Sequence, residues 1–340
     1  MGDTTKHITS LKVENFKRFD SFEMTDLGQF NLLLGDNNVG KTSVLEALLV
    51  DENSNVWISN VANALSLKKL KTSVTVKDLE YYCNQETYSQ DAEGVVEFRL
   101  GRHDKLDKYF LKFEKHLQRL MFSTPGEAKP TTYDFGTVLA TTNHELSSPL
   151  ITLQSGHDRS LTNFYSSTIQ KNRKIRGRLI ESMRKFIPTF DGIELSAPFP
   201  NEEPHLIITQ SDKNTTLPLA LFGDGSVKFL RIVMEIIAKN GKRLMIDEID
   251  TGIHFSRMKE FWNVILHTAH ENNVQLFMTT HSEECLRFFK EALADDLSHL
   301  KDLARVVSMV ENATTRQVSS VTFPFSQFEF AINAGNEVRL

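Results

Sequence analysis

Only two cysteines, Cys83 and Cys285, occur in 340 residues, with no C-x-x-C pair and no ligand-like spacing. Neither a disulfide framework nor a structural zinc site is suggested, and a reducing cytoplasm is the expected setting. No apolar run approaches the roughly 18 residues of a membrane span, so no membrane partner is expected. The start, Met1 to Lys6, lacks the apolar segment of a signal peptide, and Lys6 stands where a myristoylation motif wants Ser or Thr. No heptad pattern is sustained, which excludes long coiled-coil arms. A base-reading Asn-Lys-x-Asp run is also missing. The net charge of -5 argues against a wholly basic nucleic-acid binder but leaves room for a local patch. With 40% hydrophobic and 24% charged residues, the chain has the composition of a protein that buries a sizeable core.

What the chain does have is Gly35-Asp36-Asn37-Asn38-Val39-Gly40-Lys41-Thr42 directly after the apolar run Phe30 to Leu34. This is the G-x-x-x-x-G-K-[ST] pattern of a loop that cradles nucleotide phosphates. Gly35 and Gly40 permit a tight turn, so that backbone N–H groups across Asn37, Asn38 and Val39 can face a phosphate. Lys41 is expected to reach the β- and γ-phosphates of ATP, and the Thr42 hydroxyl to ligate Mg²⁺, with Ser43 secondary. Val44, Leu45, Leu48 and Leu49 supply the following helix with an apolar stripe.

A second apolar strand, Arg243 to Ile246, ends in the carboxylates Asp247 and Glu248. Asp247 is expected to hold the Mg²⁺, and Glu248 to orient and deprotonate the attacking water. A third strand, Val274 to Thr280, delivers His281 at its carboxyl end after one intervening helix near Phe255 to Glu271. Three strand ends are thus expected to converge on one nucleotide.

These residues resemble the ABC-type ATPase heads of the SMC, RecF and overcoming-lysogeny-defect (OLD) group. The opening Ile8 to Phe19, with Asn15, Lys17 and Arg18, is similar to their first strand and its Asn-Phe-basic turn. The resemblance implies that these three side chains lie beside the nucleotide. Asp247-Glu248-Ile249-Asp250-Thr251-Gly252-Ile253-His254 resembles the Asp-Glu-x-x-x-Gly-Leu-His run of the OLD-like branch. It covers residues 7 to 50 and about 217 to 340, and favours adenine as the base. It also implies a signature loop that meets a partner subunit's nucleotide. Leu219 to Lys228 is the candidate, with Gly223 and Gly225 as contacts, although Gly223 stands where the family has serine. From the residues alone, the same run reads as a turn opening a helix over Val227 to Ala238 with Ser226 as N-cap.

The expected fold is α/β, a P-loop NTPase with an ABC-type head whose mixed sheet is flanked by helices and carries an inserted α+β subdomain. Residues 1–50 form the first lobe, 51–216 the insertion, and 217–340 the second lobe. In the insertion a helix is expected near 56–70, with strands at Val95 to Leu100, Lys108 to Phe113 and Leu150 to Leu153. Gln154 stands where a Mg²⁺-sensing Q-loop would lie. A helix from Ser167 to Phe186 carries seven basic residues between Lys171 and Lys185 against the single acid Glu181. It reads either as a nucleic-acid or acidic-protein contact or as a solvated face. A helix (Glu283 to Leu293), a hairpin (Arg305 to Val310, Val318 to Phe323) and a short terminal helix close the chain, leaving no room for a Toprim nuclease domain.

Stand-alone ATPases of this kind accompany separate effectors in bacterial anti-phage modules of the PARIS and abortive-infection types. The expectation is therefore an ATP-hydrolysing sensor that forms a head-to-tail homodimer or higher oligomer and controls an effector. The alternatives are a RecF-like DNA-repair head that clamps DNA, and an ATP-held scaffold that does not hydrolyse.

Overall fold

Residues 7–68, 82, 95–103, 105–114, 117, 119–134, 149–152, 159–197, 204–212, 216–239 and 241–335 are described in a computed structural model. The chain opens with a hairpin, β1 (Ser10–Phe16) and β2 (Phe19–Met24). Its turn places Asn15 and Lys17 at φ of 57° and 51°. β3 (Phe30–Leu34) is buried along its whole length, as a strand covered on both faces must be. The loop 35–40 and helix α1 (Lys41–Ala47) follow, then α2 (Ser54–Lys68).

Alternating sequences next form four antiparallel strands, β4 (Val95–Arg102), β5 (Lys105–Glu114), β6 (Arg119–Ser123) and β7 (Thr131–Asp134). β8 (Leu150–Ile151) is a two-residue strand. Helix α3 (Arg159–Phe164) passes into a π-helical turn at Tyr165–Ile169, and α4 (Arg173–Phe186) starts afresh. β9 (Phe190–Ser196), β10 (His205–Gln210) and β11 (Thr216–Pro218) make a small antiparallel sheet. The remainder alternates: α5 (Asp224–Ala238), β12 (Arg243–Ile246), α6 (Met258–Glu271), β13 (Gln275–Thr279) and α7 (Glu283–Ala294). The hairpin β14 (Ala304–Glu311) and β15 (Val318–Pro324) and helix α8 (Phe325–Asn333) end it.

The central sheet has the order β15-β14-β3-β13-β12-β8. β14, β3, β13, β12 and β8 run parallel, and β15 is the antiparallel edge. β13 therefore lies between the strand that leads into the phosphate loop and the strand that ends in the carboxylates. Alternation on these strands splits the core in two. Phe30, Leu32, Leu34, Ile246 and Met278 pack against α4 to α8. Leu33, Met245, Phe277 and Val307 pack with α1, α2 and the first sheet, β2-β1-β4-β5-β6-β7.

Strand pairing crosses both boundaries of the 51–216 segment, and two of the expected helices need correction. β4 pairs with β1, Val13 opposite Phe98, and β8 pairs with β12, Ile151 opposite Ile246. The helix expected from Ser167 to Phe186 is interrupted. Asn172 adopts an extended conformation and its side chain accepts from the N–H groups of Lys174 and Ile175, so the cap starts a new helix. Helix α5 begins at Asp224 rather than Val227, with Gly223 as N-cap, which leaves Ser226 inside its first turn.

Candidate nucleotide site

The loop after β3 is shaped by three residues with positive φ: Gly35 at 144°, Asn38 at 65° and Gly40 at 104°. Both glycines are also required by space. A Cβ on Gly35 would lie 2.5 Å from the Met309 carbonyl oxygen, and one on Gly40 would lie 2.7 Å from the Phe19 ring. Val39 is buried and pins the loop, while Asn37 and Asn38 stand exposed at its tip. The Lys41 ammonium donates to the carbonyls of Gly35 at 2.7 Å and Asp36 at 2.8 Å, and lies 3.4 Å from His281 Nδ1. The lysine is thus held across the mouth of its own loop, beside the histidine 240 residues away. Ser43 is half-buried on α1.

A hydroxyl and carboxylate cluster joins the three strand ends. Thr42 Oγ1 donates to Asp247 Oδ2 at 2.8 Å, and Thr279 Oγ1 donates to Asp247 Oδ1 at 2.6 Å. The Glu248 N–H donates to Thr279 Oγ1 at 2.8 Å. Glu248 itself has φ of 47°, a left-handed conformation that costs a non-glycine residue on the order of 1 kcal/mol and is found at functional sites. Its exposed carboxylate accepts from Thr251 Oγ1 at 3.3 Å. Thr280 Oγ1 donates to Asp250 at 2.6 Å and accepts from the Ser282 N–H at 3.0 Å, and Ser282 caps α7 through the Cys285 N–H. His281 is exposed between these two fixed residues.

Thr42 and Asp247 present hard oxygen donors to one another. Among the described residues no group of three or more His, Cys, Asp or Glu forms a closed cage. An open pair of this kind suits Mg²⁺, which keeps waters and takes phosphate oxygens as further ligands.

Sequence reasoning missed Thr279, Thr280 and Lys228. Lys228, on α5, is buried, and its ammonium donates to the Glu248 carbonyl and lies 3.5 Å from that of Asp247. Burial pushes its pKa down to about 8, against the pull of Asp250, Glu248 and Asp247. A lysine in the first turns of the helix after Gly-Asp-Gly-Ser was the available signal. The two threonines were visible only as hydroxyls ending an apolar strand.

The signature-like loop lies apart from the phosphate loop. Gly223, Asp224, Gly225 and Ser226 line a cleft with Gly252 and His254, and none of residues 35–43 lines it. Gly225 abuts Gly252 so closely that a Cβ would lie 2.0 Å from the Gly252 oxygen. Gly225 is therefore demanded by packing within the chain, whereas Gly223, at φ of 79°, has open space around it. Leu221 and Phe255 beside this cleft are 70% and 52% exposed.

The first-strand residues part company. Arg18 runs alongside Gly40, its Cδ 3.0 Å from where a Cβ on that glycine would stand, and pairs with Glu311. Lys17 does not face the loop. It forms an ion pair with buried Glu46 and sits 4.9 Å from the Tyr82 ring centre. Asn15 donates to the Val95 carbonyl at 3.3 Å, on the neighbouring strand. Gln154 lies outside the described residues, although β8 ends beside Asp247, whose N–H donates to the Ile151 carbonyl at 2.8 Å. In the basic segment, Arg176, Arg184 and Lys185 pair with Glu194, Asp191 and Glu181. Lys171, Arg173 and Lys174 are exposed with no ion pair among the described residues.

Residues 30–287 match the family described as "AAA domain, putative AbiEii toxin, Type IV TA system". An ATP/GTP phosphatase of Helicobacter pylori is 25% identical over 338 residues, covering 86% of this chain and 90% of that protein. The DNA replication and repair protein RecF of Xanthomonas oryzae pv. oryzae is 48% identical over 42 residues, 12% of each chain. Among solved structures, the Smc head bound to the C-winged helix domain of ScpA superposes with a TM-score of 0.56 at 12% identity, covering 96% of this chain and 99% of that one. The Pyrococcus furiosus Smc head with an extended coiled coil, bound to the C-terminal domain of ScpA, gives a TM-score of 0.56 at 10% identity, with coverage of 96% and 99%. At such identities the likeness shows the fold, that of an SMC-head P-loop ATPase.

Proposed function

The chain belongs to this AAA-domain family and has the fold of the SMC heads, and from that premise we propose that it is a Mg²⁺-dependent ATPase of the ABC type whose nucleotide state drives head-to-tail self-association and thereby controls a separate effector in anti-phage defence. The observation that carries this reading is the cluster of Thr42, Asp247, Thr279 and Glu248, which ties the three strand ends together around one point. Lys41, released from the Gly35 and Asp36 carbonyls, binds the β- and γ-phosphates, and Gly35 to Thr42 supply the backbone donors. Thr42 and Asp247 would hold Mg²⁺, which would supply charge neutralisation to the phosphates. Glu248 takes a proton from water as the water oxygen bonds to the γ-phosphorus and the bond to ADP breaks. His281 orients the γ-phosphate from the end of β13.

Self-association is supported by the separation of the Gly223–Gly225 loop from the phosphate loop and by the exposed apolar side chains of Leu221 and Phe255 beside it. A partner's loop, with Gly223 open to solvent, would complete the site. A role beside a separate partner protein is supported by the family description, which names a toxin of a type IV toxin–antitoxin system.

Light scattering with and without ATP and Mg²⁺, on wild type and Glu248→Gln, together with phosphate release, tests the proposal. Growth in size with ATP, persistent in Glu248→Gln and accompanied by loss of turnover, is expected. A constant size with no turnover would favour an ATP-held scaffold. Lys171, Arg173 and Lys174, which make no ion pair among the described residues, support a second reading, a RecF-like DNA clamp. Salt-dependent duplex binding that is lost on reversal of these three charges is the check.

A further inference from the structure

We propose that the cleft at the opposite end of the central sheet from the phosphate loop is a second anion site, which takes a small phosphorylated ligand. The cleft, about 570 Å³, opens where the two large sheets meet, and its volume is that of a small-molecule site. Its wall is built from the carboxyl end of α1, the tip of the β4–β5 hairpin, and the loop from α5 into β12. Five cations line it, Arg102, Lys105, Lys239, Lys242 and Arg243, against two carboxylates, Asp51 and Glu52.

Three of the cations are already paired, Arg102 with Glu52 and Asp107, Lys105 with Asp107 and Lys239 with Glu235, which leaves Arg243 and Lys242 without an ion pair among the described residues. Glu52 accepts from Arg102 at 2.9 Å, and Asp51 accepts from the Asn53 N–H at 3.0 Å. Arg243 is the central group. Its guanidinium donates to the Val50 carbonyl at 2.6 Å and makes no ion pair among the described residues. Burial pushes its pKa down and outweighs the opposing pull of Asp51 and Glu52, the direction expected of a cation that has lost more water than it has gained counter-charge. Beside it, Arg102 Nε and the Tyr109 hydroxyl are buried without a hydrogen-bond partner among the described residues. Unmet buried donors around a half-buried cation are the chemistry of an anion pocket, because a phosphate supplies acceptors and charge together. Leu49, Val56 and Met245 give the same cleft an apolar side, which suits an organic phosphate better than a free one.

A nucleotide in the phosphate loop cannot be the occupant. Arg243 precedes Asp247 by four residues on an extended strand, roughly 13 Å at about 3.3 Å per residue. The other wall lies beyond the seven residues of α1, roughly 10 Å from Lys41. A ligand here would grip the far ends of the two elements that carry Lys41 and Asp247, and is placed to bias the ATPase from behind.

The test is calorimetric titration of full-length Lys41→Ala, in which the phosphate loop is disabled, with pyrophosphate, with AMP and with a 5′-phosphorylated oligonucleotide. One AMP per chain is expected, bound more tightly than pyrophosphate, with affinity falling at least tenfold in Lys41→Ala carrying Lys242→Glu and lost when it carries Arg243→Gln. Lys242 is exposed, so its reversal tests the site even if removal of Arg243 impairs folding, which circular dichroism would reveal. Absence of AMP and pyrophosphate binding in Lys41→Ala, or binding indifferent to Lys242→Glu, would overturn the proposal. So would binding of the oligonucleotide alone. Because ATP turnover is not the readout, failure here is separable from failure of the ATPase reading.

Discussion

Replacing Thr279 with valine removes one hydroxyl from the centre of the proposed site while preserving its shape. That oxygen donates to Asp247 Oδ1 at 2.6 Å and accepts from the Glu248 N–H at 2.8 Å, and the residue is 1% exposed. A hydrogen bond to a charged group contributes about 1.5–3 kcal/mol, and a stranded N–H costs roughly 1–3 kcal/mol. The left-handed Glu248 backbone is held partly by that bond, so its loss frees the proposed general base to turn away. A loss of about 2 kcal/mol in positioning corresponds to roughly 30-fold in rate. Turnover is therefore expected to fall roughly 10- to 100-fold in phosphate-release assays. ATP binding, which depends chiefly on Lys41 and the loop amides, should change by less than about threefold. Thr279→Ser keeps the hydroxyl and should recover most of the rate. Full turnover in Thr279→Val with unchanged affinity would refute the idea that this hydroxyl organises the two carboxylates.

Lys41→Ala should abolish detectable ATP binding by fluorescence or calorimetry, since the ammonium is the main charge available to the phosphates. Gly225→Ala places a methyl 2.0 Å from the Gly252 oxygen and should cost about 1–3 kcal/mol in urea unfolding. Gly223→Ala meets open space but forces a side chain onto a backbone at φ 79° and ψ 152°, a region kept essentially by glycine, and should cost about 1–3 kcal/mol from backbone strain alone. Lys228 carries a pH signature. With a folded pKa of about 8 and an ordinary unfolded value, the unfolded chain binds the extra proton between pH 8 and about 10.4, so stability rises with pH across that window. The full rise is on the order of 3 kcal/mol, measured as the difference between wild type and Lys228→Met in unfolding free energy against pH. A flat difference from pH 7.5 to 10.5 would show that the buried ammonium is better compensated than its surroundings indicate.

The motifs that depend on neighbours in the chain were legible in the sequence. The Gly35 to Thr42 loop, the strand ending in Asp247 and Glu248, the strand ending before His281 and the closing hairpin all stand where composition and turn chemistry put them. Each is governed by short-range physics: glycine at positive φ, apolar runs of strand length, and a helix opening after a turn. The long basic helix was misread because its periodicity is continuous, while the capping of Asn172 depends on one side chain turning back to its own backbone.

Tertiary structure alone decided the order of the strands and with it the chemistry of the site. The motif order led to the expectation that the strand ending in His281 converges on the phosphate loop, but nothing in residues 274–281 announces that β13 will lie between β3 and β12, the placement that brings Thr279 to Asp247. It also decided that Lys17 would serve Glu46, that the segment from Val95 to Asp134 would extend the first sheet, and that Arg243 would meet Arg102 across a cleft. These pairings join residues tens to hundreds of positions apart. They follow from which faces the whole chain can bury together, and a local pattern carries no trace of that choice.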